Sequence, residues 1–362
     1  MKRLKKIIKE SSLSGEAYVF AQRISQARRD RKLVVLPYSM YSGSAGDLRG
    51  RAIGVALRGR GWRTVVVPPW LGLAQRQRII RKERPDVILL QQSVHPLNRP
   101  WLYPGVPCVF DADDAYIINT PETVVPCCRQ SAAVIAGSRN LANRFREHNS
   151  HVSVVWTGTY IKEARGLIPS AQRGRVITWA LSDALSAGHE SLFVREVLLR
   201  LAKRTKFSFR LYGVNAPEAV AEYLQPIRDA GVEVTTFPML RYRPFVDSLH
   251  DVAIGLTPIC QAHAFFQGKS FGKILGYIAA DVAVVAANAI DHPLFFRHGE
   301  NGMLADENVD QWVECCATLL DDPERRSKMV AQARQEFMAR LTVTRCAELV
   351  DEVFSRVISK AR

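Results

Sequence analysis

Long hydrophobic runs are missing from this sequence of 362 residues. No stretch approaches the roughly 18 consecutive apolar residues that a transmembrane helix requires. A secretory signal would place an apolar core after a basic start, and no such core follows the basic residues 1–10 here. Both absences predict a protein that is made in the cytosol and stays there.

Cysteine is scarce and poorly spaced for metal or disulfide chemistry. The chain has seven cysteines, an odd number, and no two of them form a Cys-x-x-Cys pair. Cys127 with Cys128 and Cys315 with Cys316 are immediate neighbours, a spacing that suits neither a structural zinc site nor a usual disulfide framework. The pattern predicts reduced thiols buried in the protein.

Acidic residues are outnumbered by basic ones. The chain has 50 Lys and Arg against 35 Asp and Glu, which gives a net charge of +15. Such a surplus indicates an anionic partner: nucleic acid, a phosphorylated substrate or a membrane face. No zinc module or aromatic RNA-binding signature accompanies the charge, so nucleic acid is not expected as a partner.

The remaining composition is that of a globular protein. Apolar residues make up 47% of the chain and charged residues 23%, which excludes disordered, collagenous and coiled-coil proteins. Short β-branched runs alternate with helical patterns, and the runs are apolar on both faces, as strands covered by helices on both sides are. They lie at 32–36, 64–67, 86–90, 106–110, 132–136, 152–155, 175–179, 207–211, 232–235, 252–256 and 282–286. The alternation predicts two Rossmann-like, doubly wound α/β domains with parallel sheets.

A break in this alternation separates the two halves of the chain. Residues 162–174 lack periodicity and are rich in glycine, serine and proline, which is typical of a linker. We predict an N-terminal domain over 1–165, a C-terminal domain over 166–340 and a C-terminal helix over 341–362 that packs back toward the first domain. Ligands of such folds bind beyond the carboxyl ends of the strands, so the expected site lies in a cleft between the domains.

Three carboxylates follow the fourth predicted strand, at Asp111, Asp113 and Asp114. Like charges this close repel each other, and a metal, a helix N-terminus or sugar hydroxyls would explain them. We favour Asp113 and Asp114 as groups that point at substrate hydroxyls, with an acidic helix-capping turn as the alternative. His95 follows the third strand beside amides that suit hydroxyl recognition, and its alternative is an ordinary loop histidine.

Two segments before helices have the small residues that anion-binding loops use. Gly43 and Ser44 follow the first strand, where free backbone N–H groups can hold an anion, and an ordinary strand–helix turn is the alternative. In the second half, Ser270 stands between Lys269 and Lys273 at the start of a helix. Lysine charges at a helix N-terminus suit a diphosphate, and a solvated basic helix start is the alternative.

Several segments resemble retaining glycosyltransferases with the two-Rossmann GT-B fold, of the family 4 kind. Residues 273–286 resemble the nucleotide-binding helix and strand of that family, and residues 298–304 resemble the turn that follows. Residues 310–329 resemble the next two helices, with their Asp-Pro-Glu step at 322–324. Weaker similarities lie at 56–62, 134–138 and 154–158. The resemblance covers nearly the whole chain.

The resemblance implies transfer of a sugar, expected to be a hexose, from a nucleotide diphosphate sugar to an acceptor with retention. The C-terminal domain then holds the nucleotide. The N-terminal domain holds the acceptor, expected to be a lipid-linked glycan or a surface polysaccharide precursor. No metal or other cofactor is implied, because basic side chains, N–H groups and a helix N-terminus stabilise the departing diphosphate. The catalytic candidates are Asp113, Asp114 and His95, and the donor-binding candidates are Gly43, Ser44, Ser182, Lys269, Ser270, Lys273 and Glu300.

The sequence departs from the family at the residues that bind the donor. The family often has two glutamates eight residues apart, and Gly268 and Gly276 stand at these positions. The usual Arg and Lys after the first strand of the second domain are missing from 179–183. The two lysines of the helix start can supply phosphate charge, and Glu300 is the nearest carboxylate for the ribose. Two alternatives stay open: a catalytically degenerate protein that binds a glycan or a partner, and a nucleotide-sugar epimerase.

The first residues carry much of the positive charge. Five of residues 2 to 9 are Lys or Arg, and Leu4, Ile7 and Ile8 recur at helical spacing, as in a basic amphipathic segment. Each basic residue near an anionic lipid surface contributes ~1 kcal/mol of attraction. We expect peripheral contact with the inner face of the cell membrane, with a solvated N-terminus as the alternative.

Overall fold

The computed structural model describes residues 11–26, 29–160, 165–262, 264–269 and 271–361. The chain divides into two compact units. Unit 1 consists of Met1–Thr159, Gly268–Ser270 and Thr342–Arg362, and unit 2 of Tyr160–Gln267 and Phe271–Leu341. The predicted basic segment 2–9 lies outside the described residues. The roles predicted for the two domains, acceptor binding and donor binding, stay predictions.

Unit 1 contains a six-stranded parallel sheet. Its strands are β1 Arg31–Leu36, β2 Trp62–Val66, β3 Val87–Gln91, β4 Cys108–Ala112, β5 Ala133–Ala136 and β6 Val152–Val154. Their order in the sheet is β2-β1-β3-β4-β5-β6. β3, β4 and β5 are buried along their whole length, as strands with helices on both faces are.

The helices of unit 1 connect these strands. They are α1 Ser12–Ile24, α2 Ile53–Arg58, α3 Leu73–Glu83, α4 Tyr116–Asn119, α5 Pro121–Gln130 and α6 Arg139–Arg146, with a 3-10 turn at Pro100–Leu102. The sequence predicts one α-helix from Asp47 to Arg60. The structure instead has a π-helical segment, Gly46–Ala52, before α2. Such wider turns often occur at functional sites, and this one contains Arg49, which is discussed below.

The C-terminal helix, Val343–Ala361, packs on the sheet of unit 1. Phe354 meets Trp62 edge to face, with ring centroids 5.6 Å apart. The Trp62 Nε1 donates to Asp351 Oδ1 at 2.8 Å, and Arg31 and Arg60 donate to the same carboxylate. Burial opposes ionisation of Asp351, but these donors outweigh it and lower its pKa. The last residues of the chain therefore complete the core of unit 1.

Unit 2 contains a second six-stranded parallel sheet. Its strands are β7 Val176–Ala180, β8 Ser208–Tyr212, β9 Glu233–Phe237, β10 Ile254–Thr257, β11 Ala283–Ala287 and β12 Met303–Ala305. The order is β12-β11-β10-β7-β8-β9. β12 has only three residues, too few for a recognisable pattern, and no strand is predicted there from the sequence.

The helices of unit 2 connect these strands. They are α7 Gly188–Ala202, α8 Pro217–Asp229, α9 Tyr242–Asp247, α10 Ile274–Ala279, α11 His292–Phe295, α12 Val309–Asp321 and α13 Pro323–Arg340, with 3-10 turns at Ser170–Gln172 and Phe266–Gly268. Asp322 caps α13 by accepting the Arg325 N–H at 2.8 Å. Asn308 caps α12 by accepting the Gln311 N–H.

The predicted fold class is confirmed, since both units are doubly wound α/β structures with parallel sheets. All seven cysteines are buried and none forms a disulfide, as their spacing predicts. No helix among the described residues has both the length and the apolar character needed to cross a bilayer.

Candidate functional site

The candidate site of unit 1 lies where β3 and β4 end. These strands are parallel neighbours, and Gln91 of β3 pairs in register with Asp111 of β4. The residues that follow, Gln92 on one strand and Asp113 and Asp114 on the other, therefore come together at the carboxyl edge of the sheet. This edge is where ligands bind in doubly wound folds.

A buried ion pair anchors this edge. Arg49 is 4% exposed and Asp111 is 2% exposed. The guanidinium Nε and Nη2 donate to the two carboxylate oxygens at 2.9 and 2.8 Å. Burial raises the pKa of Asp111 to about 6, and the charge of Arg49 opposes that rise. Arg49 is therefore part of the core.

The same guanidinium ties the end of β6 to the end of β4. The Arg49 Nη1 donates to the Val155 carbonyl at 2.8 Å and to Thr157 Oγ1 at 3.1 Å. The Thr157 hydroxyl in turn lies 3.4 Å from Asp113 Oδ2, which accepts from it. Arg49 thus positions the groups around Asp113. Among the described hydrogen bonds, none joins Arg49 to Asp113 directly.

Asp113 is held by an amide as well as by this hydroxyl. The Gln92 Nε2 donates to Asp113 Oδ1 at 2.8 Å. Gln92 has a φ of 60°, a left-handed conformation that is rare outside glycine and that clusters at functional sites. Its backbone N–H donates to the Asp111 carbonyl at 2.8 Å, which stabilises that conformation.

Two amide atoms at this edge are buried without a partner among the described residues. They are Nε2 of Gln91 and Oε1 of Gln92. A buried polar atom without a hydrogen bond costs about 1–3 kcal/mol. The other amide atoms of the two residues are engaged in different places, since Gln91 Oε1 accepts the Tyr38 N–H and Gln92 Nε2 donates to Asp113 Oδ1.

Asp114 stands next to a lysine that arrives from a distant part of the sequence. Burial raises the pKa of Asp114 to about 7, the charge of Asp113 raises it as well, and Lys269 lowers it. Lys269 is half-buried and belongs to unit 1. A carboxyl group with a pKa close to neutrality is suited to proton transfer.

Gly268 explains how Lys269 reaches Asp114. The Ser138 hydroxyl donates to the Gly268 carbonyl at 3.0 Å and also caps α6 by accepting the Leu141 N–H. A Cβ on Gly268 would lie 2.5 Å from Cβ of Ala115, so only glycine allows this approach. The glycine at the first of the two family glutamate positions therefore has a packing role in this chain.

His95 has a structural position instead of the predicted catalytic one. Its Nδ1 accepts the Leu97 N–H at 3.1 Å, so Nε2 carries the proton and donates to the Pro69 carbonyl at 2.9 Å. Burial and the neighbouring charge of Arg76 lower the pKa of His95 to about 4. Nδ1 thus serves the loop after β3 and Nε2 joins it to the loop after β2, in agreement with the alternative of a loop histidine.

Gly43 and Ser44 are also engaged within their own turn. The Gly43 N–H donates to Asp47 Oδ2 at 3.0 Å, and Ser44 Oγ accepts the Asp47 N–H at 3.2 Å. Asp47 is buried and pairs with Arg51. A carboxylate already occupies the N–H that an anion would need, so this turn corresponds to the ordinary strand–helix turn and the predicted anion loop is corrected.

The remaining donor-binding candidates lie in unit 2, except for Ser270, which lies outside the described residues. Ser182 is exposed in the loop after β7, and its carbonyl accepts from Asn215. Lys273 is half-buried directly before α10, with Nζ 5.4 Å from the centroid of the Phe245 ring. Glu300 is exposed and accepts from Arg297 Nε at 2.6 Å. Its carboxylate thus forms an exposed ion pair with a neighbouring side chain.

The second family glutamate position is closed by packing. Gly276 is buried in α10, and a Cβ there would lie 2.5 Å from Cε1 of Phe245. Phe245 is buried and packs against Tyr212 and Tyr277. The space beside α10 is thus filled by an aromatic ring.

A buried carboxylate of unit 2 escapes sequence reasoning. Glu190, in the first turn of α7, is 1% exposed. Its Oε1 accepts the Cys260 N–H at 3.1 Å, while Oε2 is buried without a partner among the described residues. Glu190 therefore holds the loop that follows β10. An acidic residue in a first helical turn is common, so the sequence contains no signal that singles this one out.

No group of three His, Cys, Asp or Glu side chains in the described part of the chain is arranged to hold a metal ion.

Part of the chain is similar in sequence to a known protein family. Residues 193–351 match the family described as glycosyl transferase-like. This match covers most of unit 2 and the start of the C-terminal helix. No curated protein sequence matches the chain.

Solved structures share the fold at low sequence identity. Sucrose-phosphate synthase from Thermosynechococcus elongatus has a TM-score of 0.68 and 11% identity, over 91% of this chain and 100% of that one. HepE from Anabaena, in complex with UDP and glucose, has a TM-score of 0.63 and 17% identity, over 90% and 100%. An α-glucosyltransferase in complex with UDP-glucose and DNA has a TM-score of 0.64 and 10% identity, over 90% and 99%. The chain thus has the fold of the GT-B glycosyltransferases.

Proposed function

We propose that this protein is a retaining glycosyltransferase that moves a hexose from a nucleotide diphosphate sugar to a hydroxyl group of a glycan acceptor. The match of residues 193–351 and the similar fold of sugar-transferring enzymes support this proposal. The observation that carries it is the cluster of Asp113, Asp114 and Lys269, in which Gln92 donates to Asp113. Two similar structures, one with UDP-glucose and one with UDP and glucose, suggest the donor class.

In this proposal unit 1 binds the acceptor. Gln92 holds Asp113 in place, and Asp113 accepts from a sugar hydroxyl of the acceptor. Fixing the acceptor in this way lowers the entropic part of the barrier. Arg49 acts as a positioning residue, because it holds Asp111 and Thr157 and touches no acceptor atom itself.

Asp114 is the proposed general base. The acceptor oxygen forms a bond to the anomeric carbon of the sugar while the bond from that carbon to the diphosphate oxygen breaks. The hydroxyl proton passes to the Asp114 carboxylate, and the electron pair leaves with the nucleotide diphosphate. A pKa of about 7 keeps a large fraction of Asp114 ionised at neutral pH and still makes it basic enough to accept the proton.

Lys273 and Ser182 are the proposed donor contacts of unit 2. Lys273 stands before the N-terminus of α10, so its ammonium group is placed to offset diphosphate charge. Lys269 is proposed to add a second positive charge. Gly43, Ser44 and Glu300 are not proposed as donor contacts, because their polar groups already form hydrogen bonds with neighbouring residues of this chain. No cofactor beyond the donor substrate is proposed.

The acceptor is proposed to be a lipid-linked glycan or a surface polysaccharide precursor at the inner face of the cell membrane. The support is the sequence of residues 2 to 9, with five basic side chains that an anionic lipid surface attracts.

A panel of nucleotide sugars tests the donor half of the proposal. Calorimetry is expected to show binding of at least one nucleotide diphosphate sugar. With a glycan acceptor present, nucleotide diphosphate should be released and the product should have the anomeric configuration of the donor. Release of an inverted product would contradict retention. A changed sugar that stays on the nucleotide would identify an epimerase.

A catalytically degenerate binding protein is the second candidate. The Phe245 ring that fills the space beside Gly276 favours it, because no carboxylate can stand at that position without repacking. This candidate predicts glycan binding without nucleotide release, and no heat of binding for any nucleotide sugar in the panel. The same calorimetric series therefore distinguishes it from the transferase.

A further inference from the structure

Helix α1, Ser12–Ile24, is fastened to the sheet of unit 1 by glutamine side chains. Gln22 Nε2 donates to the Val66 carbonyl at 2.9 Å, and Gln22 Oε1 accepts the Val66 N–H at 3.0 Å. Gln26, just beyond the helix, makes the same pair of bonds with Thr64, at 2.8 and 2.9 Å. β2 is an edge strand, so these side chains take the place of a missing neighbouring strand. The orientation of α1 is therefore firmly set.

The opposite face of α1 is apolar and exposed. Leu13, Phe20 and Ile24 are 82%, 59% and 71% exposed. Ala17, between them, is exposed as well. The spacing of four, three and four residues places all four side chains on one face of the helix. Exposed apolar surface of this kind on a protein commonly marks an interaction site.

A basic cavity lies at the C-terminal end of the same helix. It has a volume of about 530 Å³ and is lined by two acidic and five basic side chains, the basic ones being Arg23, Arg29, Lys32, Arg63 and Lys82. The lining therefore has an excess of positive charge. The cavity stands at the amino ends of β1 and β2, where Lys32 and Arg63 are register partners.

The positive charge of the cavity is only partly compensated. Glu83 is buried and accepts from both Arg23 and Arg63, so one carboxylate serves two guanidinium groups. Basic residues in the last turn of a helix are favoured by the helix dipole. That explains Arg23 of α1 and Lys82 of α3, but it does not explain Lys32 or Arg63, which belong to strands.

We propose that the exposed face of α1 and this basic cavity together form a docking surface for an anionic lipid membrane. Phe20 and Ile24 enter the acyl boundary, and the cavity one turn away binds a lipid phosphate group. An apolar helix face beside a basic patch is the combination that peripheral membrane attachment uses. A protein partner would meet the apolar face without needing the cavity. The surface belongs to the described residues, is separate from residues 2–9 and does not depend on glycosyl transfer.

Co-sedimentation of the full chain with vesicles tests this surface. The protein should bind vesicles of phosphatidylcholine mixed with phosphatidylglycerol and should leave vesicles of phosphatidylcholine alone. A double substitution of Phe20→Ser and Ile24→Ser should reduce binding on the order of tenfold. The matched control, Leu192→Ser with Met338→Ser, changes two similarly exposed apolar residues of unit 2 and should bind like the wild type.

The cavity is tested by a charge reversal at Arg29→Glu with Lys82→Glu. Vesicle binding should again fall on the order of tenfold. Lys203→Glu with Lys206→Glu makes the same change of net charge on exposed residues of unit 2 and should weaken binding much less. Thermal melting should be unchanged in all four variants, because each altered side chain is exposed.

Three results would overturn the proposal. One is an absence of wild-type binding to the anionic vesicles. Another is full vesicle binding by the Phe20→Ser and Ile24→Ser variant, which would indicate that the exposed face of α1 binds a protein instead of a membrane. The third is an equal loss in the two charge-reversal variants, which would mean that net charge alone attracts the protein. None of these results depends on nucleotide-sugar turnover, so the proposed reaction stands or falls separately.

Discussion

The ring of Phe245 occupies the space into which a side chain at Gly276 would project. A Cβ added to Gly276 would lie 2.5 Å from Cε1 of that ring, closer than real Cβ atoms approach. Lys273, one turn earlier, has its ammonium group over the same ring. The glycine and the phenylalanine therefore form one packing unit beside the helix that the proposed donor site uses.

Introducing a glutamate at this position should damage the packing. Gly276→Glu is expected to lower the free energy of unfolding by ~1–3 kcal/mol through overpacking. Combining it with Phe245→Ala removes the clash, so the loss in the double variant should be smaller than the sum of the single losses. Urea unfolding measures all three. Gly188→Glu is the control, since Gly188 is exposed and has open space. Strict additivity would show that the ring does not block the position.

Asp114 should control the acid side of the pH–activity profile. The proposed base must be ionised, and burial raises its pKa to about 7. Transfer activity should therefore decline as the pH falls through about 7. Asp114→Asn should lower turnover by roughly 10²–10⁴-fold, the usual contribution of a general base, with donor affinity unchanged. Asp310→Asn, at an exposed position, should leave both quantities as they are.

Lys269 should determine where the acid limb of the pH–activity profile lies. Its positive charge lowers the pKa of Asp114. Lys269→Met removes the charge and keeps the apolar stem, so the acid limb should move to higher pH. Activity measured across a pH series detects the shift, and Lys203→Met is the control at an exposed lysine of unit 2. An unmoved limb together with weaker donor binding would assign Lys269 to the diphosphate alone.

The titration of Asp114 should also make the free energy of unfolding depend on pH. Its pKa is raised from 3.8 to about 7 in the folded protein, so the folded state binds the proton more tightly than the unfolded chain does. The contribution of Asp114 to the free energy of unfolding is therefore fully present below about pH 4, and it is lost as the pH rises to about 7. Asp114→Asn should remove this part of the pH dependence. The check is urea unfolding of both proteins at several pH values, and parallel curves would contradict the raised pKa.

The buried pair of Arg49 and Asp111 should be strongly coupled. Removal of one partner leaves a buried charge alone, so Arg49→Met should lower the free energy of unfolding by ~3–5 kcal/mol. Adding Asp111→Asn should recover part of that loss. Arg204→Met breaks an exposed pair with Glu314 and should cost only ~0–1 kcal/mol. Similar losses at Arg49 and Arg204 would refute the anchoring role of the buried pair.

Much of the fold was predictable from local patterns. The apolar runs of the sequence correspond to eleven of the strands, because a strand covered on both faces needs a short continuous apolar run. β12 is too short to produce such a pattern. The acidic turn was recognisable as a candidate site because a strand end is a local feature, and Gln92 holds Asp113 there.

The candidate residues that failed did so for one physical reason. His95, Gly43 and Glu300 have chemistry suited to a ligand, but each has found a partner within a few residues or in a neighbouring loop. Local competition of this kind depends on the exact backbone geometry. Residue type and spacing do not reveal it.

Taken alone, the sequence determined the doubly wound α/β architecture and the burial of the cysteines. These follow from periodicity, which is a property of neighbouring residues. The tertiary structure decided that Arg49 is buried against Asp111, that Gly268 brings Lys269 to Asp114 and that Phe245 excludes a side chain at Gly276. Each of these contacts joins residues far apart in the chain, and only the packing of the folded protein brings them within reach.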